Sequence, residues 1–440
     1  MTLKNVLGKE KISKMNRSLF FIFTIMQFNL FTLIFLITTF AYVVTMMWLN
    51  TRQAKSMLNS FDKVPNEFAA KITLEQHQKA ADYTTAKLKV NHLEILFSTG
   101  VLLAWTLGGG LDYLDGIWHS LTSNTLYIGV GFIISLIVIG TLIDLPFSLY
   151  RTFVLEAKFG FNKTTVGTLV SDMIKGFMLA LVIGAPLLYG ILYLMNAMGE
   201  YWWLSVWLLL TGFSLLMLWL YPTFIAPLFN KFKPLENQEL KVKIDNLLER
   251  TGFKSDGIFV MDGSKRSSHG NAYFTGIGKN KRIVFFDTLL KGMEDKEVEA
   301  ILAHELGHFH HQHIRKQIII SFLTSLIGLA LLGYLIKQPW FFHGLGMSEM
   351  SNYAALVLFS LTIPMFSFVI EPISNAFSRK HEFEADAFAA KHTNADDLVS
   401  SLVKLYRDNA STLTPDRLYS AFHDSHPSAS IRINHLKETT

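Results

Sequence analysis

Seven stretches of this 440-residue chain are apolar over lengths that only a lipid interior rewards: roughly Ser18 to Leu49, Leu93 to Thr106, Asn124 to Tyr150, Met173 to Met195, Trp202 to Phe229, Ile318 to Ile336 and Tyr353 to Ile370. About 20 consecutive apolar residues suffice to cross the hydrocarbon core, and a helix satisfies its own backbone where no water can. The pattern therefore predicts a mainly α, polytopic membrane protein with seven transmembrane helices. Composition agrees, with half the residues hydrophobic, 17% charged and a mean hydropathy of +0.30. The second stretch is the weakest, because "LGGGLDYLDG" frays its end and it spans only by borrowing residues from its flanks. Lys4, Lys9, Lys11, Lys14 and Arg17 precede the first stretch like the positive end of a signal peptide. That run is too long for a signal core and lacks a small-residue cleavage site, so it reads as a retained span.

No cysteine occurs, so any metal must be held by histidine and carboxylate. The net charge of +5 sits largely in loops beside the spans, with no long basic tract interleaved with aromatics, which predicts no nucleic-acid partner.

The spans divide the chain into residues 1–229 (spans one to five with the amino-terminal tail), 230–317 (a first polar block), 318–370 (spans six and seven) and 371–440 (a second polar block). Spans six and seven make a round trip, so both blocks face one side and can build one domain together. That side carries Arg52, Lys55, Lys63, Lys71, Lys79, Lys87 and Lys89 in the first loop and Arg151, Lys158 and Lys163 in the second, whereas the opposite loops are nearly free of Lys and Arg. The positive-inside rule places the two blocks in the cytosol. The basic amino-terminal tail, sent across by an odd number of spans, opposes this and is outweighed by the loops. In the first block "ELKVKIDNLLERTGF" has helical apolar spacing and a closing glycine. "GIFVMDGS", "NAYFTGIG" and "KRIVFFDTLL" predict a small antiparallel sheet.

The chemistry concentrates at His304-Glu305-Leu306-Gly307-His308, an H-E-x-x-H pattern on a segment that reads as one helix running on into span six. Residues four apart share a helix face, so the two imidazoles can converge on one ion while Glu305 reaches a water beside it. The third ligand must come from elsewhere. "SRKHEFEADAFAAKH" offers Glu382 and Asp386, four apart on another helical segment. One can bind metal while the other accepts a proton from the far nitrogen of a ligand histidine. By charge alone such a pair is an ordinary solvated face, but His308 stands ten residues before the apolar run at Ile318 and Glu382 ten after Pro372. Each interval is about 15 Å of helix, which puts the two half-sites at similar depth.

"HELGH", "EFEADAFA", "NAYFTGIGKNKRIVFFDTLL" and "SHPSASIR" stand in an order that resembles the type I CAAX prenyl protease family, integral-membrane zinc metalloproteases, over nearly the whole chain. The resemblance implies a ring of seven helices around an intramembrane chamber, capped by a gluzincin-like zinc domain. It implies one Zn2+ held by His304, His308 and Glu382, with Glu305 as catalytic base and Asp386 behind a ligand histidine. It further implies that Asn271, Ala272, Tyr273 and Phe274 hold an extended peptide substrate, and that His426 and Arg432 help bind it and the reacting carbonyl. The expected partners are a peptide or protein substrate, prenylated or membrane-embedded, and the lipid bilayer. The loop before span six is short, and with the absence of cysteine it leans toward a bacterial homologue in the inner membrane, the endoplasmic reticulum being the eukaryotic counterpart. The roles of Ser268 and His269 stay open.

Other features carry blander readings. His310, His311 and His313 point to different helix faces and read as solvated or interfacial, with His313 nearest the site. Asp144, Asp172, Lys175 and Glu371 lie near span ends and can snorkel, Asp144 being the deepest. Trp202, Trp203 and Trp340 read as interfacial anchors. Competing functions are a quality-control protease clearing damaged or translocation-jammed membrane proteins, and a transporter or lipid carrier with a structural zinc; the spans lack the paired broken helices of a transport site.

Overall fold

The computed structural model describes residues 28–275 and 282–439, so the basic tail and the start of the first predicted span lie outside the described residues. Among the described residues six helices are long and apolar enough to cross a bilayer, and a bent pair of helices brings the number to seven if it is counted as one span. Helix α1 (Leu30–Asn59) starts at an Asn29 capping box. The stretch after it is not an open loop, because α1 and α2 (Leu74–Trp105) both run on well past their apolar parts. Thus α2 borrows its length from its polar amino-terminal flank. It then bends by 49° into α3 (Gly110–Leu121) at Gly109, whose φ of 75° suits glycine.

Helix α4 (Thr125–Tyr150) continues through a π-helical turn, Arg151–Glu156. The pair α5 (Val166–Leu179) and α6 (Ala185–Ala197) is joined by another such turn, as are α7 (Trp202–Leu220) and α8 (Ala226–Phe229). Buried residues in these spans cluster at the ends: Ile128, Gly129 and Phe132 in α4, Trp202 and Val206 in α7, none in α5. Only 6% of the span windows of α5–α6 and α7–α8 is buried. A helix packed into a bundle buries one full stripe. These helices instead form a wall one helix thick, joined where Phe35, Phe132, Val206, Phe341 and Leu358 pack together. Trp202 belongs to that packing, a core residue and not an interfacial anchor.

The first polar block opens with β1 (Phe232–Pro234) and α9 (Gln238–Thr251), the expected amphipathic helix, which ends at the left-handed Gly252. Then come β2 (Ile258–Met261), β3 (Ala272–Thr275) and β4 (Arg282–Phe286). The sheet order is β1-β2-β4-β3. The predicted antiparallel sheet is in fact mixed, since β2 pairs with β4 in parallel while β1 and β3 pair antiparallel to their neighbours. The chain between β2 and β3 leaves the sheet to bridge Ser267 to Asn162, so no hairpin joins them. Strand β3 therefore lies at the sheet's edge.

Short α10 (Asp287–Gly292) leads to α11 (Asp295–His310), and α12 (His313–Leu335) follows. The predicted single helix from metal motif to span is two helices, broken at Gln312, a non-glycine residue at φ 57°. The chain returns through α13 (Pro339–His343), α14 (Asn352–Ser367) and α15 (Glu371–His392), and closes with α16 (Ala395–Asp408), α17 (Arg417–His423) and α18 (Ala429–Thr439). One apolar core, with Ile244, Leu247, Phe285, Ala303 and Ala389, ties α9, the sheet, α11 and α15 into a single domain drawn from both polar blocks.

Candidate metal centre and active-site cavity

Helix α11 begins with a capping box between Glu294 and Glu297, and acidic Asp295 and Glu297 in its first turn suit its positive end. Glu297 is 1% exposed and anchored by Lys404 Nζ and Ser400 Oγ, both at 2.7 Å, which clamps α16 to α11. Nearly three turns later, at Gly307, α11 meets α15 at very short range. A Cβ placed on Gly307 would lie 2.8 Å from Ala385 Cα and 2.9 Å from its carbonyl oxygen. Only glycine lets the backbones approach so closely, and that approach brings Glu382 and Asp386 up to His304 and His308.

The donor atoms crowd together, with Glu382 turning a different oxygen to each histidine. His308 Nε2 is 3.2 Å from His304 Nε2 and 3.2 Å from Glu382 Oε1, and His304 Nε2 is 3.4 Å from Glu382 Oε2. Tetrahedral zinc with bonds of about 2.0–2.1 Å has ligand-to-ligand edges of about 3.3 Å. Glu382 Oε2 is buried and faces Arg432 at 3.3 Å and His304 Nε2 at 3.4 Å, and a coordinated cation would complete the surroundings of this charged oxygen. His304, His308 and Glu382 thus fit one metal ion, and the group is the one such cluster among the described residues.

The surroundings hold these ligands in place. Asp386 Oδ1 lies 2.8 Å from His304 Nδ1, so that nitrogen donates outward and Nε2 is free to ligate. Arg432 grips Asp386 with both arms, Nε to Oδ2 at 2.8 Å and a terminal nitrogen to Oδ1 at 2.6 Å, and its other terminal nitrogen lies 3.3 Å from Glu382 Oε2. Burial and the Arg432 charge press His304 downward, yet its hydrogen bonds to Asp386 and Glu382 outweigh both and lift it to about 9. A surrounding that favours a proton this strongly also favours a metal cation.

Glu305, half-buried, lines a cavity of about 480 Å³ together with His304, Asn271, Ala272, His426 and Arg432. His426 stands in the loop before α18 with its side chain 65% exposed and Nε2 3.4 Å from Glu382 Oε1. Of the four β3-segment residues, Asn271 and Ala272 face this cavity. Tyr273 faces the opposite side beside Arg282 and Lys233, and Phe274 packs on Phe253 with ring centres 5.4 Å apart. Only the start of the segment thus borders the cavity, where the Ala272 N–H donates to Asn271 Oδ1 at 2.8 Å.

Several polar contacts had no sequence signal. His269 stacks on Phe161 at 4.4 Å and meets Asn409 Oδ1 at 3.2 Å and Glu156 Oε2 at 3.5 Å, while Tyr83 donates to Glu156. Arg266 pairs with both oxygens of Asp172, and Lys175 donates to the Leu228 carbonyl. The contacts of His269 with Phe161 and Glu156 and of Arg266 with Asp172 join the zinc domain to the spans, and their partners lie too far apart in sequence for any spacing rule. Asp144 is exposed on the surface of α4. Of the extra histidines, His310 is exposed beside Phe388, His311 is half-buried, and His313 is buried against His308.

Residues 53–231 match the family model described as CAAX prenyl protease N-terminal, five membrane helices, and residues 234–440 match peptidase family M48. CAAX prenyl protease 1 of Saccharomyces cerevisiae is 35% identical over 420 residues, 88% of this chain and 91% of that one. The Arabidopsis thaliana homologue is 34% identical over 399 residues, 86% and 91% of the two chains. The human homologue is 34% identical over 423 residues, 85% and 88% of the two. The crystal structure of S. mikatae Ste24p superposes with a TM-score of 0.86 at 35% identity, covering 93% of this chain and 99% of that one.

Proposed function

This chain belongs to the type I CAAX prenyl proteases of peptidase family M48, and from that premise we propose that it cleaves prenylated, CAAX-type peptides at the cytosolic face of its membrane. It is a zinc-dependent metallopeptidase embedded in the membrane by several spans. The observation that carries the proposed division of labour is the convergence of the ligand His304, Glu305, His426 and the Asn271–Ala272 start of edge strand β3 on one cavity, with His426 3.4 Å from Glu382. The loop charges support a cytosolic zinc domain, and the cysteine-free sequence favours a bacterial inner membrane, with the endoplasmic reticulum as the eukaryotic counterpart.

His304, His308 and Glu382 would hold the zinc, which supplies Lewis-acid polarisation and a lowered water pKa when bound. Glu305 takes a proton from the attacking water and returns it to the leaving amine. His426, exposed toward the cavity, donates Nε2–H to the carbonyl oxygen as charge develops there. Arg432 takes a place one layer back, because two of its nitrogens are spent on Asp386 and the third faces Glu382. It keeps Asp386 charged and aligned, which in turn fixes His304. The substrate adds a strand to β3 by main-chain hydrogen bonds, with Asn271 at the strand's start. That mode tolerates varied side chains, so selection falls to the lipid group in or beside the one-layer wall of spans.

The test uses purified full-length protein in detergent, with zinc quantified and matched farnesylated and unfarnesylated peptides. The expected result is zinc in both wild type and Glu305→Gln, cleavage by wild type alone, and preference for the farnesylated peptide. Equal turnover of the two peptides overturns the prenyl selectivity and favours general clearance of membrane proteins. Undiminished cleavage by the variant overturns the assignment of Glu305.

A further inference from the structure

The two ligand imidazoles are held from behind in different ways. His304 rests its outer nitrogen on the carboxylate of Asp386. His308 has no carboxylate behind it. Its Nε2 faces His304 and Glu382, so a metal takes the lone pair of that nitrogen and leaves the ring's proton on Nδ1. The atom facing this Nδ1 is Nδ1 of His313, at 3.1 Å. To accept that hydrogen bond the His313 nitrogen must be bare, so the proton of His313 sits on Nε2. There it points at Glu384 Oε2, 2.8 Å away. Once Nε2 of His308 is a ligand and His313 is neutral, the two hydrogen bonds admit a single placement of protons, running outward from the metal to Glu384.

We propose that His313 is a positioning residue for the metal site, a neutral imidazole that accepts from His308 and passes the hydrogen bond on to Glu384, fixing the tautomer and ring plane of the ligand.

The backbone is built for this contact. His313 lies five residues after His308. On a continuous helix that spacing turns a side chain by about 140° away, so the two rings could not meet. The break between α11 and α12 removes the obstacle, and it does so with Gln312 in the left-handed region, at φ 57°, a conformation strained for a residue with a Cβ. Strain of this kind persists where the surroundings over-determine it, typically at functional sites. His313 is 4% exposed, and its ring stacks on His381 at 4.0 Å with planes 14° apart. His381 and Glu384 flank Glu382 on α15, so the helix that supplies the third ligand also supplies the far end of the relay.

The inference rests on zinc at His304, His308 and Glu382. Zinc affinity is measured by chelator competition on the full-length protein, alongside thermal unfolding of the metal-free forms. His313→Phe keeps the stacking on His381 and removes the acceptor, and the expected loss of zinc affinity is roughly 10–100-fold. His313→Asn places a carbonyl oxygen near the lost Nδ1 and should recover most of it. Should His313→Phe fold poorly, Glu384→Ala serves instead: its side chain is 32% exposed, and the expected loss is several-fold. Unchanged affinity in His313→Phe or Glu384→Ala overturns the relay, as does an equal loss in the Phe and Asn variants. A wild type that binds no zinc overturns the metal site itself.

Discussion

Gly307→Ala puts the closest helix contact of the site to the test. The new Cβ would stand 2.8 Å from Ala385 Cα, 2.9 Å from the Ala385 oxygen and 3.1 Å from Phe388 Cβ. Relaxed carbon contacts begin at about 3.5 Å, so α11 and α15 must part by about 0.7 Å. No flexible side-chain end can yield, because two of the three atoms are backbone. Glu382 comes from α15 and both histidines from α11, so the separation falls directly on the donor group, whose contacts are now 3.2 to 3.4 Å. Metal sites tolerate about 0.2 Å. The variant should lose zinc affinity by about 100-fold or more and peptidase activity with it, and overpacking should cost about 1–3 kcal/mol of stability. Chelator competition, thermal unfolding and peptide cleavage read these out, with Gly176→Ala as control, since a Cβ there meets nothing within 4 Å. Gly307→Ala with wild-type zinc affinity would refute the claim that helix proximity sets the ligand geometry.

Asp386→Asn should weaken zinc binding roughly 10–100-fold and cost about 3 kcal/mol in thermal unfolding, because Arg432 stays buried without its carboxylate; two unchanged readings would contradict this. Glu297→Gln concerns pH. Burial pushes the Glu297 carboxyl up, but the hydrogen bonds from Lys404 and Ser400 outweigh it and hold it below the usual glutamate range. A folded pKa below the unfolded one gives stability that is present above the unfolded value and fades as pH falls through the folded value. Wild type should therefore exceed Glu297→Gln by about 1–3 kcal/mol at neutral pH, with the gap narrowing below about pH 4. A gap independent of pH would show that the charge is immaterial. Chelator treatment should abolish peptide cleavage and lower the thermal midpoint, and added zinc should restore both in a concentration-dependent manner. Activity that survives complete chelation would remove the metal from the reaction.

What could be read from the sequence follows from which interactions are local. Span formation depends on apolar length, and the weak second stretch is the one that the glycine run breaks, α2 ending at Trp105 and α3 starting 49° away at Gly110. The placing of His304 next to His308, and of Glu382 next to Asp386, follows from helical spacing within each segment. The parallel pairing of β2 with β4 escaped notice because glycine turns suggested hairpins, while the intervening chain is drawn off to Phe161, Asn162 and Asn409. The contact of His313 with His308 contradicts helical spacing, and the break that allows it falls on glutamine, where no glycine or proline announces it. Arg432 looked free to meet substrate because nothing in "SHPSASIR" reveals that its guanidinium is already committed to Asp386.

The zinc domain is assembled from two segments with two spans between them, and this has a bearing on biogenesis. A chain synthesised only as far as span six carries both imidazoles and neither Glu382, Asp386 nor Arg432. Without the third ligand it cannot retain zinc tightly. Proteolytic competence therefore arrives only after span seven has inserted and α15 has emerged on the same side as α11. Correct topology becomes a licence for catalysis: a molecule with its last span misplaced would be inert, and no unfinished copy could cut its neighbours during synthesis.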